Sequence, residues 1–210
     1  METKRCLIFA AGEYPARRPD LPEGTVIAAD AGWQHAAAWG VTPQIVIGDF
    51  DSADAPTEGQ VIRLNPIKDE TDTLEAVRLG LERGCNEFHI YGATGGRTAH
   101  TFANIQTLVM LAEKGARGFL ISEKEIMTVI HNAAIRFDAG SKGYVSVFSL
   151  KESSAGVCEK GLKYTLNGYE MRNDYPIGVS NEFTGSPAEI SVADGTLLVI
   201  YSPEARVIQD

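Results

Sequence analysis

The stretch Phe88-His-Ile-Tyr-Gly-Ala-Thr-Gly-Gly-Arg-Thr-Ala-His100 passes from an apolar strand pattern, through a glycine-rich loop, into a helix predicted to begin near Thr98. Glycines let the backbone approach an oxyanion closely, and a helix N-terminus presents unpaired N–H groups and a partial positive charge to it. Arg97 adds a candidate bidentate contact to phosphate oxygens. The spacing is neither that of a P-loop nor that of a dinucleotide-binding fingerprint. It predicts an anion site, and a tight structural turn is the alternative interpretation.

The first part of the chain alternates short apolar runs with helical patterns up to residue 122. The runs lie at residues 7–10, 26–29, 45–47, 61–64, 88–91 and 118–121. Such alternation predicts an α/β domain with a mostly parallel, Rossmann-like sheet and flanking helices. One helix is predicted at residues 72–83, where Asp72 and Glu75 fit a capping box. Another is predicted at residues 98–114, with an apolar core stripe formed by Phe102, Ile105, Val109 and Ala112.

The second part of the chain loses the helical period after about residue 124. Alternating or β-rich segments follow at residues 127–130, 144–148, 161–166 and 189–192. Asp194 and Gly195 lie between alternating apolar residues, which favours a tight hairpin turn. We therefore expect an α/β catalytic domain at residues 1–124 and an all-β sandwich at residues 125–210.

Composition limits the classes of partner. The chain has 28 acidic and 19 basic residues, a formal charge of −9 and no block of five like charges, which argues against nucleic acid or an anionic membrane as the main partner. Cys6, Cys85 and Cys158 are scattered, so a reduced cytoplasmic protein is the simplest interpretation. The apolar run at residues 6–10 is too short for a signal peptide or a membrane span.

Aspartates recur where apolar segments end. Asp49 and Asp51 follow the run at residues 44–48, and two positions apart on an extended chain puts both on one side, with Cα atoms about 7 Å apart. Asp30, Asp69 and Asp72 follow or precede other elements at the same expected edge of the sheet. Mg²⁺ is commonly held by one or two carboxylates plus substrate phosphate oxygens, and Lys68 is a candidate phosphate contact. Solvated turn residues and, for Asp72, a helix N-cap are the alternatives.

Other conspicuous side chains favour structural roles. His35 and His100 lie near probable helix starts and form no metal-ligand pair, so we expect them to be structural or to support the site. Trp33 and Trp39 flank an alanine-rich helix pattern and are expected in the core or an interface.

Five motifs taken together resemble the thiamine pyrophosphokinase family, and the resemblance covers nearly the whole chain. They are Ala29-Asp-Ala-Gly32, Gly48-Asp-Phe-Asp-Ser52, Lys68-Asp-Glu-Thr-Asp72, Gly92-Ala-Thr-Gly-Gly-Arg97 with residues 100–105, and Gly178-Val-Ser-Asn-Glu182. The resemblance implies a homodimer in which thiamine lies between the catalytic domain of one subunit and the β domain of the other. It also implies transfer of a diphosphoryl group from ATP, the co-substrate, to the thiamine hydroxyl with release of AMP.

The resemblance also assigns candidate residues. It implies that Asp49, Asp51 and Asp72 are catalytic Mg²⁺ ligands, with Asp72 or Asp51 as our candidate acceptor of the thiamine hydroxyl proton. The implied ATP contacts are Lys68, Thr71, Thr94, Gly95, Gly96 and Arg97, and the implied substrate contacts are Asp30, Ser180 and Asn181.

Two residues depart from the family pattern. Ala99 stands where an aspartate usually precedes the histidine, and Ala31 stands where a glycine is frequent. Loss of a carboxylate beside the phosphate loop keeps two alternatives open: diphosphoryl transfer to another small alcohol, such as a pterin, and a non-catalytic nucleotide-binding module.

Overall fold

The computed structural model describes residues 2–50, 60–65 and 70–208. The chain divides into two compact units, Met1–Glu123 and Lys124–Asp210. In the described part of the chain, no helix has the length and apolar composition that a membrane span requires.

Unit 1 contains a parallel sheet with helices. Its strands are β1 (Arg5–Phe9), β2 (Thr25–Ala29), β3 (Ile45–Gly48), β4 (Gln60–Arg63), β5 (Glu87–Tyr91) and β6 (Arg117–Ile121), and its helices are α1 (Gly32–Ala38), α2 (Asp72–Glu82) and α3 (Thr98–Glu113). The strand order is β6-β5-β1-β2-β3-β4, and every pairing within it is parallel. The predicted mostly parallel sheet is confirmed, and its central strands are buried along most of their length because both faces of such a sheet are covered.

The order of the strands indicates the edge of the sheet at which a ligand site is expected. The chain builds β1 to β4 outward in one direction and then returns to place β5 on the other side of β1. Loops that leave the carboxyl ends of β1 and β5 therefore diverge, and open α/β sheets bind ligands at such a reversal.

The N-cap of helix α2 lies one residue earlier than we predicted. The N-cap is Thr71, whose Oγ1 accepts a hydrogen bond from the Leu74 N–H at 3.2 Å. The predicted capping box of Asp72 and Glu75 is wrong, because Asp72 is already helical. Both acidic side chains instead lie in the first turn, where the helix dipole favours negative charge.

Helix α3 buries a different face from the predicted stripe. Phe102 is 58% exposed, and Ile105, Val109 and Ala112 are only partly buried. The buried positions are Asn104, Thr107, Leu108 and Leu111. Apolar residues occur nearly all round this helix, so their period did not identify its inner face. The two buried polar residues are tolerated because each donates a hydrogen bond to a backbone carbonyl, Asn104 to Ala93 and Thr107 to Ala103.

Unit 2 is built from two antiparallel sheets. The strands are β7 (Ile126–His131), β8 (Ala134–Phe137), β9 (Tyr144–Ser149), β10 (Ser153–Lys160), β11 (Leu166–Arg172), β12 (Gly178–Glu182), β13 (Ala188–Ser191) and β14 (Thr196–Tyr201). One sheet has the order β12-β9-β14-β7 and the other β11-β10-β13-β8. Both contribute to one core, which includes Phe137, Val147, Val157, Ile190 and Val199.

Two local predictions in unit 2 are wrong. Residues 161–165 connect β10 to β11 and do not form a strand; Leu162 makes only an isolated bridge to Phe183. Asp194 and Gly195 do not close a hairpin, because β13 and β14 belong to different sheets. Gly195 instead carries the chain from one sheet to the other, and its N–H donates to the Asn132 Oδ1 at 2.8 Å.

A buried carboxylate joins the amino ends of three strands of unit 1. Glu87, 1% exposed, lies 2.7 Å from the Arg5 Nε, 2.7 Å from an Arg117 Nη and 3.1 Å from the His89 Nε2. Burial alone would raise the pKa of Glu87, but the hydrogen bonds from His89 and Arg5 and the charge of Arg117 outweigh it and lower the pKa from 4.5 to about 2. Ionised Glu87 therefore stabilises the fold.

We expect Glu87→Gln to lower the free energy of unfolding at pH 7 by about 3 kcal/mol, because Arg5 and Arg117 lose their buried partner. Since the pKa of Glu87 is depressed on folding, its contribution is present above pH 4.5 and is lost as the pH falls toward about 2. Urea unfolding across this range should converge for the wild type and the variant.

The matched control is Glu75→Gln, since Glu75 pairs with Arg78 on the surface of α2. It should cost about 0.5 kcal/mol. Equal costs for the two variants at pH 7 would contradict the role given to Glu87.

Candidate active site

One cleft of about 520 Å³ lies at the carboxyl edge of the sheet of unit 1. The loops that follow β1, β2, β3 and β5 line it, together with the first turns of α2 and α3. Eight of the residues predicted from the sequence meet there: Asp30, Asp49, Thr71, Asp72, Thr94, Gly95, Gly96 and Arg97. Three other predicted residues, Asp51, Lys68 and Asp69, lie outside the described residues.

Carboxylates occupy one side of this cleft. Asp30 directly follows β2, Asp49 directly follows β3, and Glu70 and Asp72 lie at the start of α2. The backbone of Asp30 has a φ of 49°, and its N–H donates to the Ile47 carbonyl at 2.8 Å, which fixes the end of β2 against β3. Parallel strands thus bring together side chains that are far apart in sequence.

The opposite side is the loop after β5, and its carbonyl groups are held by hydrogen bonds from neighbouring segments. The Gly92 carbonyl accepts from the Gly12 N–H at 2.7 Å, and the Thr94 carbonyl accepts from the Glu13 N–H at 3.0 Å. The Ala93 carbonyl accepts from the Asn104 Nδ2 at 2.7 Å. Gly12 must be glycine for this approach, because a Cβ there would lie 2.7 Å from the Thr94 carbonyl oxygen.

The N–H groups of the same loop are potential donors to a ligand. Among the described residues, no backbone carbonyl accepts a hydrogen bond from the N–H groups of residues 93–97. Gly95 and Gly96 have φ values of 77° and 58°, which bend the loop tightly before α3. N–H groups that line such a turn form a concave anion-binding surface.

Helix α3 adds positive character to this side. Its N-cap is Arg97, which makes no side-chain capping bond, and no acidic residue lies in its first turn. Its first N–H groups therefore carry the partial positive charge of a helix start. Arg97 and His100 are both exposed and both line the cleft. His100 thus lies in the site itself, where the sequence had suggested a supporting position.

Sequence reasoning missed several lining residues. They are Ala10, Ala11 and Gly12 after β1, with Glu70, Thr73 and Asn104. For this part of the chain the sequence predicts only an apolar strand at residues 7–10. A usable signal existed, since Ala11-Gly12 follows the first strand and Asn104 lies four residues after His100, on the same face of a helix.

The lining suits a divalent cation that is also bound by phosphate. Within residues 2–50, 60–65 and 70–208, no three His, Cys, Asp or Glu side chains are close enough to form a metal site by themselves. Mg²⁺ needs only one or two carboxylates when it keeps water and substrate phosphate oxygens as its other ligands. The cleft offers carboxylates from three segments, so its chemistry fits Mg²⁺.

The remaining predicted residues, Ser180 and Asn181, lie in unit 2. Ser180 is exposed, with a φ of 56°, and its N–H donates to the Ser146 Oγ at 2.9 Å. Asn181 is 5% exposed: its Oδ1 accepts from the N–H groups of Tyr164 and Glu182, and its Nδ2 donates to the Tyr164 carbonyl and to Glu159. Burial raises the pKa of Glu159, and the Asn181 hydrogen bond opposes that rise.

Both units match models of one family. Residues 22–120 match the thiamin pyrophosphokinase catalytic domain, and residues 132–197 match the thiamin pyrophosphokinase vitamin B1 binding domain. The chain belongs to the thiamin pyrophosphokinase family. The catalytic-domain match begins at residue 22, so the Gly12 and Glu13 contacts to the phosphate loop precede the matched range.

Individual members of the thiamin pyrophosphokinase family are similar over most of their length. The thiamine pyrophosphokinase of Bacillus subtilis (strain 168) is 27% identical over 192 residues, which cover 88% of this chain and 86% of the relative. A crystal structure of the Bacillus subtilis enzyme has a TM-score of 0.84 at 26% identity, covering 95% of this chain and 99% of the other. One from Geobacillus thermodenitrificans has a TM-score of 0.82 at 25% identity, covering 94% and 97%.

We expect Gly95→Ala to raise the KM for ATP more than Gly96→Ala does. An alanine at either position pays for a positive φ, about 1 kcal/mol. At Gly95 the new Cβ would also lie 2.7 Å from the Glu13 Cβ, whereas nothing lies within 4 Å at Gly96. Initial rates at varied ATP would measure the difference.

Gly115→Ala is the matched control, because Gly115 has a φ of 74°, equally open surroundings and a position at the far end of α3. It should lose stability without a change in the KM for ATP. A KM that rises equally in all three variants would mean that the effect comes from stability and not from the loop.

Proposed function

We propose that this chain is a thiamine diphosphokinase, which transfers a diphosphoryl group from ATP to the hydroxyl of thiamine and gives thiamine diphosphate and AMP. The observation that carries the proposal is one cleft with carboxylates on one side and, on the other, loop N–H groups that have no backbone acceptor among the described residues, in a chain whose two matched ranges belong to the same family. The reversal of strand order beside β1 supports a Rossmann-like description of the α/β domain.

The loop after β5 is the proposed seat of the ATP polyphosphate. Its N–H groups, the start of α3 and the Arg97 guanidinium all favour oxyanions. Thr94, Gly95 and Gly96 belong to this surface. The Thr71 hydroxyl caps α2 as an acceptor, so its hydrogen remains a donor for phosphate on the opposite side. Lys68 is the further proposed contact.

The carboxylate side is the proposed Mg²⁺ site, with Asp49, Asp51 and Asp72 as ligands and Asp30 as a nearby substrate or metal contact. Held there, Mg²⁺ would supply positive charge that neutralises the phosphate oxygens of the substrate. A formal charge of −9 makes such local compensation necessary for a polyanionic substrate.

The proposed reaction needs positioning and charge neutralisation more than covalent chemistry by the protein. The thiamine hydroxyl oxygen bonds to the β-phosphorus of ATP, the bond from that phosphorus to the α–β bridging oxygen breaks, and AMP leaves. Arg97 and the loop N–H groups hold the charge of the transferred group. Asp72 or Asp51 accepts the hydroxyl proton, directly or through water.

We assign thiamine recognition to residues 125–210 and ATP chemistry to residues 1–124. Exposed Ser180 is the proposed direct contact. The four hydrogen bonds of Asn181 within unit 2 support a role in holding Ser180 and the loop at Tyr164 in place.

Exposed aromatic residues in this unit, including Tyr144, Tyr164 and Tyr175, support the proposed homodimer with a shared site. Free cysteines are in keeping with a cytoplasmic location.

The first expected outcome concerns the products. Purified protein with Mg²⁺, ATP and thiamine should form AMP and thiamine diphosphate in equal amounts, separated by chromatography, despite Ala99. ADP with thiamine monophosphate would indicate a different transfer, and turnover only with a pterin alcohol would favour the other acceptor.

Asp72→Asn and Asp51→Asn each remove a candidate proton acceptor and metal ligand, so wild-type rates in both would contradict the mechanism.

The second expected outcome concerns the shared site. An Asp49→Asn protein and a Ser180→Ala/Asn181→Ala double variant should each be inactive, and mixing them should restore part of the activity through heterodimers with one intact site. Subunit exchange is verified with differently tagged chains. Exchange without recovered activity would contradict a site built from two subunits.

A further inference from the structure

Asn104 is a buried polar residue that the proposed mechanism does not use. It lies on the inner face of α3, is 6% exposed and borders the cleft. Its Nδ2 donates to the carbonyl of Ala93, eleven residues earlier, at 2.7 Å. Ala93 also borders the cleft and is 4% exposed, so its carbonyl points toward a buried amide and not toward solvent.

A planar trans peptide couples this hydrogen bond to the cleft. The C=O of one residue and the N–H of the next lie in one plane and point in opposite directions. A carbonyl that is held inward therefore turns the following N–H outward. The held carbonyls of Gly92, Ala93 and Thr94 orient the N–H groups of Ala93, Thr94 and Gly95 in this way.

The three holding contacts differ in kind. Gly12 and Glu13 use backbone N–H groups, which a side-chain substitution leaves in place. Only the contact from Asn104 to the Ala93 carbonyl comes from a side chain. Without it, the peptide between Ala93 and Thr94 is free to rotate and present a carbonyl oxygen to a bound anion, which would repel it.

We infer that Asn104 is a positioning residue that sets the affinity of the site for the polyphosphate of ATP by holding the Ala93–Thr94 peptide with its N–H toward the cleft. This inference rests on the proposed function, because it takes the bound anion to be ATP. The residue acts through the loop and not by transferring a proton or binding the reacting hydroxyl.

Two substitutions separate the hydrogen bond from the packing of Asn104. Asn104→Leu keeps the branching of the side chain and removes the donor, and it should raise the KM for ATP and its dissociation constant about tenfold. Asn104→Asp keeps the shape and places a carboxylate oxygen against the Ala93 carbonyl, so its effect on both should be larger. The kcat and the KM for thiamine should change less than twofold in Asn104→Leu.

Thr107→Val is the matched control. Thr107 lies one turn later on the same face, is 4% exposed and also donates to a backbone carbonyl, that of Ala103 within the helix. Its loss should lower the melting temperature about as much as Asn104→Leu does and leave the binding of ATP unchanged. If Asn104→Leu does not fold, Asn104→Ala serves in the same comparison.

Equilibrium dialysis with ATP and Mg²⁺, without thiamine, provides the deciding measurement. Unchanged ATP affinity in folded Asn104→Leu, or equal losses in Asn104→Leu and Thr107→Val, would overturn the inference. A wild type that binds ATP but does not turn over thiamine would contradict the proposed function alone, and the variants would still decide the role of Asn104. A wild type that binds no ATP would overturn both.

Discussion

The contact on which the site depends is the pair of backbone hydrogen bonds between the loop after β1 and the loop after β5. Gly12 and Glu13 donate to Gly92 and Thr94, where strand order reverses and the two loops would otherwise diverge. The absence of a side chain at Gly12 permits the approach. Because these hydrogen bonds engage carbonyl groups of the loop after β5 and not its N–H groups, the N–H groups are the backbone polar groups that this loop can offer to a ligand. The two interpretations open from the sequence, a structural turn and an anion site, are therefore compatible with each other.

That arrangement supports the proposal that an acidic chain binds a polyanion. The net charge of −9 is unfavourable at long range, and the described carboxylates of the cleft increase the local repulsion. In the proposed site, the loop N–H groups, the start of α3 and Arg97 would act only at short range, on phosphate oxygens already in place. The carboxylates then become useful through a divalent cation, which changes their effect on phosphate from repulsion to attraction. Binding of ATP and of Mg²⁺ is thus expected to be coupled.

The sequence predicted the elements that follow from a recurring apolar pattern. It missed the local features that depend on a single tertiary hydrogen bond. Six apolar runs and the glycine loop were enough for the parallel sheet and for the edge at which the cleft lies, because burial on both faces and the direction of parallel strands follow from pattern alone. The inner face of α3 was not predictable, since apolar residues surround the helix and Asn104 is buried only because Ala93 offers it a carbonyl. Asp194-Gly195 had the local chemistry of a hairpin, but the contact of Gly195 with Asn132 leads the chain to another sheet.

Asparagine amides hold irregular backbone in both units. Asn104 holds Ala93 in unit 1, and in unit 2 Asn132 holds Gly195 while Asn181 holds both the N–H and the carbonyl of Tyr164. Irregular backbone near a site cannot pair its N–H and C=O groups with a neighbouring strand. The short side chain of asparagine supplies a donor and an acceptor together at a small cost in side-chain entropy. Asn181 uses both functions and Asn104 uses its donor. Replacement by aspartate keeps the shape but turns the donor Nδ2 into an acceptor oxygen, which cannot hold a backbone carbonyl. The same substitution should therefore release the Ala93 carbonyl at position 104 and the Tyr164 carbonyl at position 181.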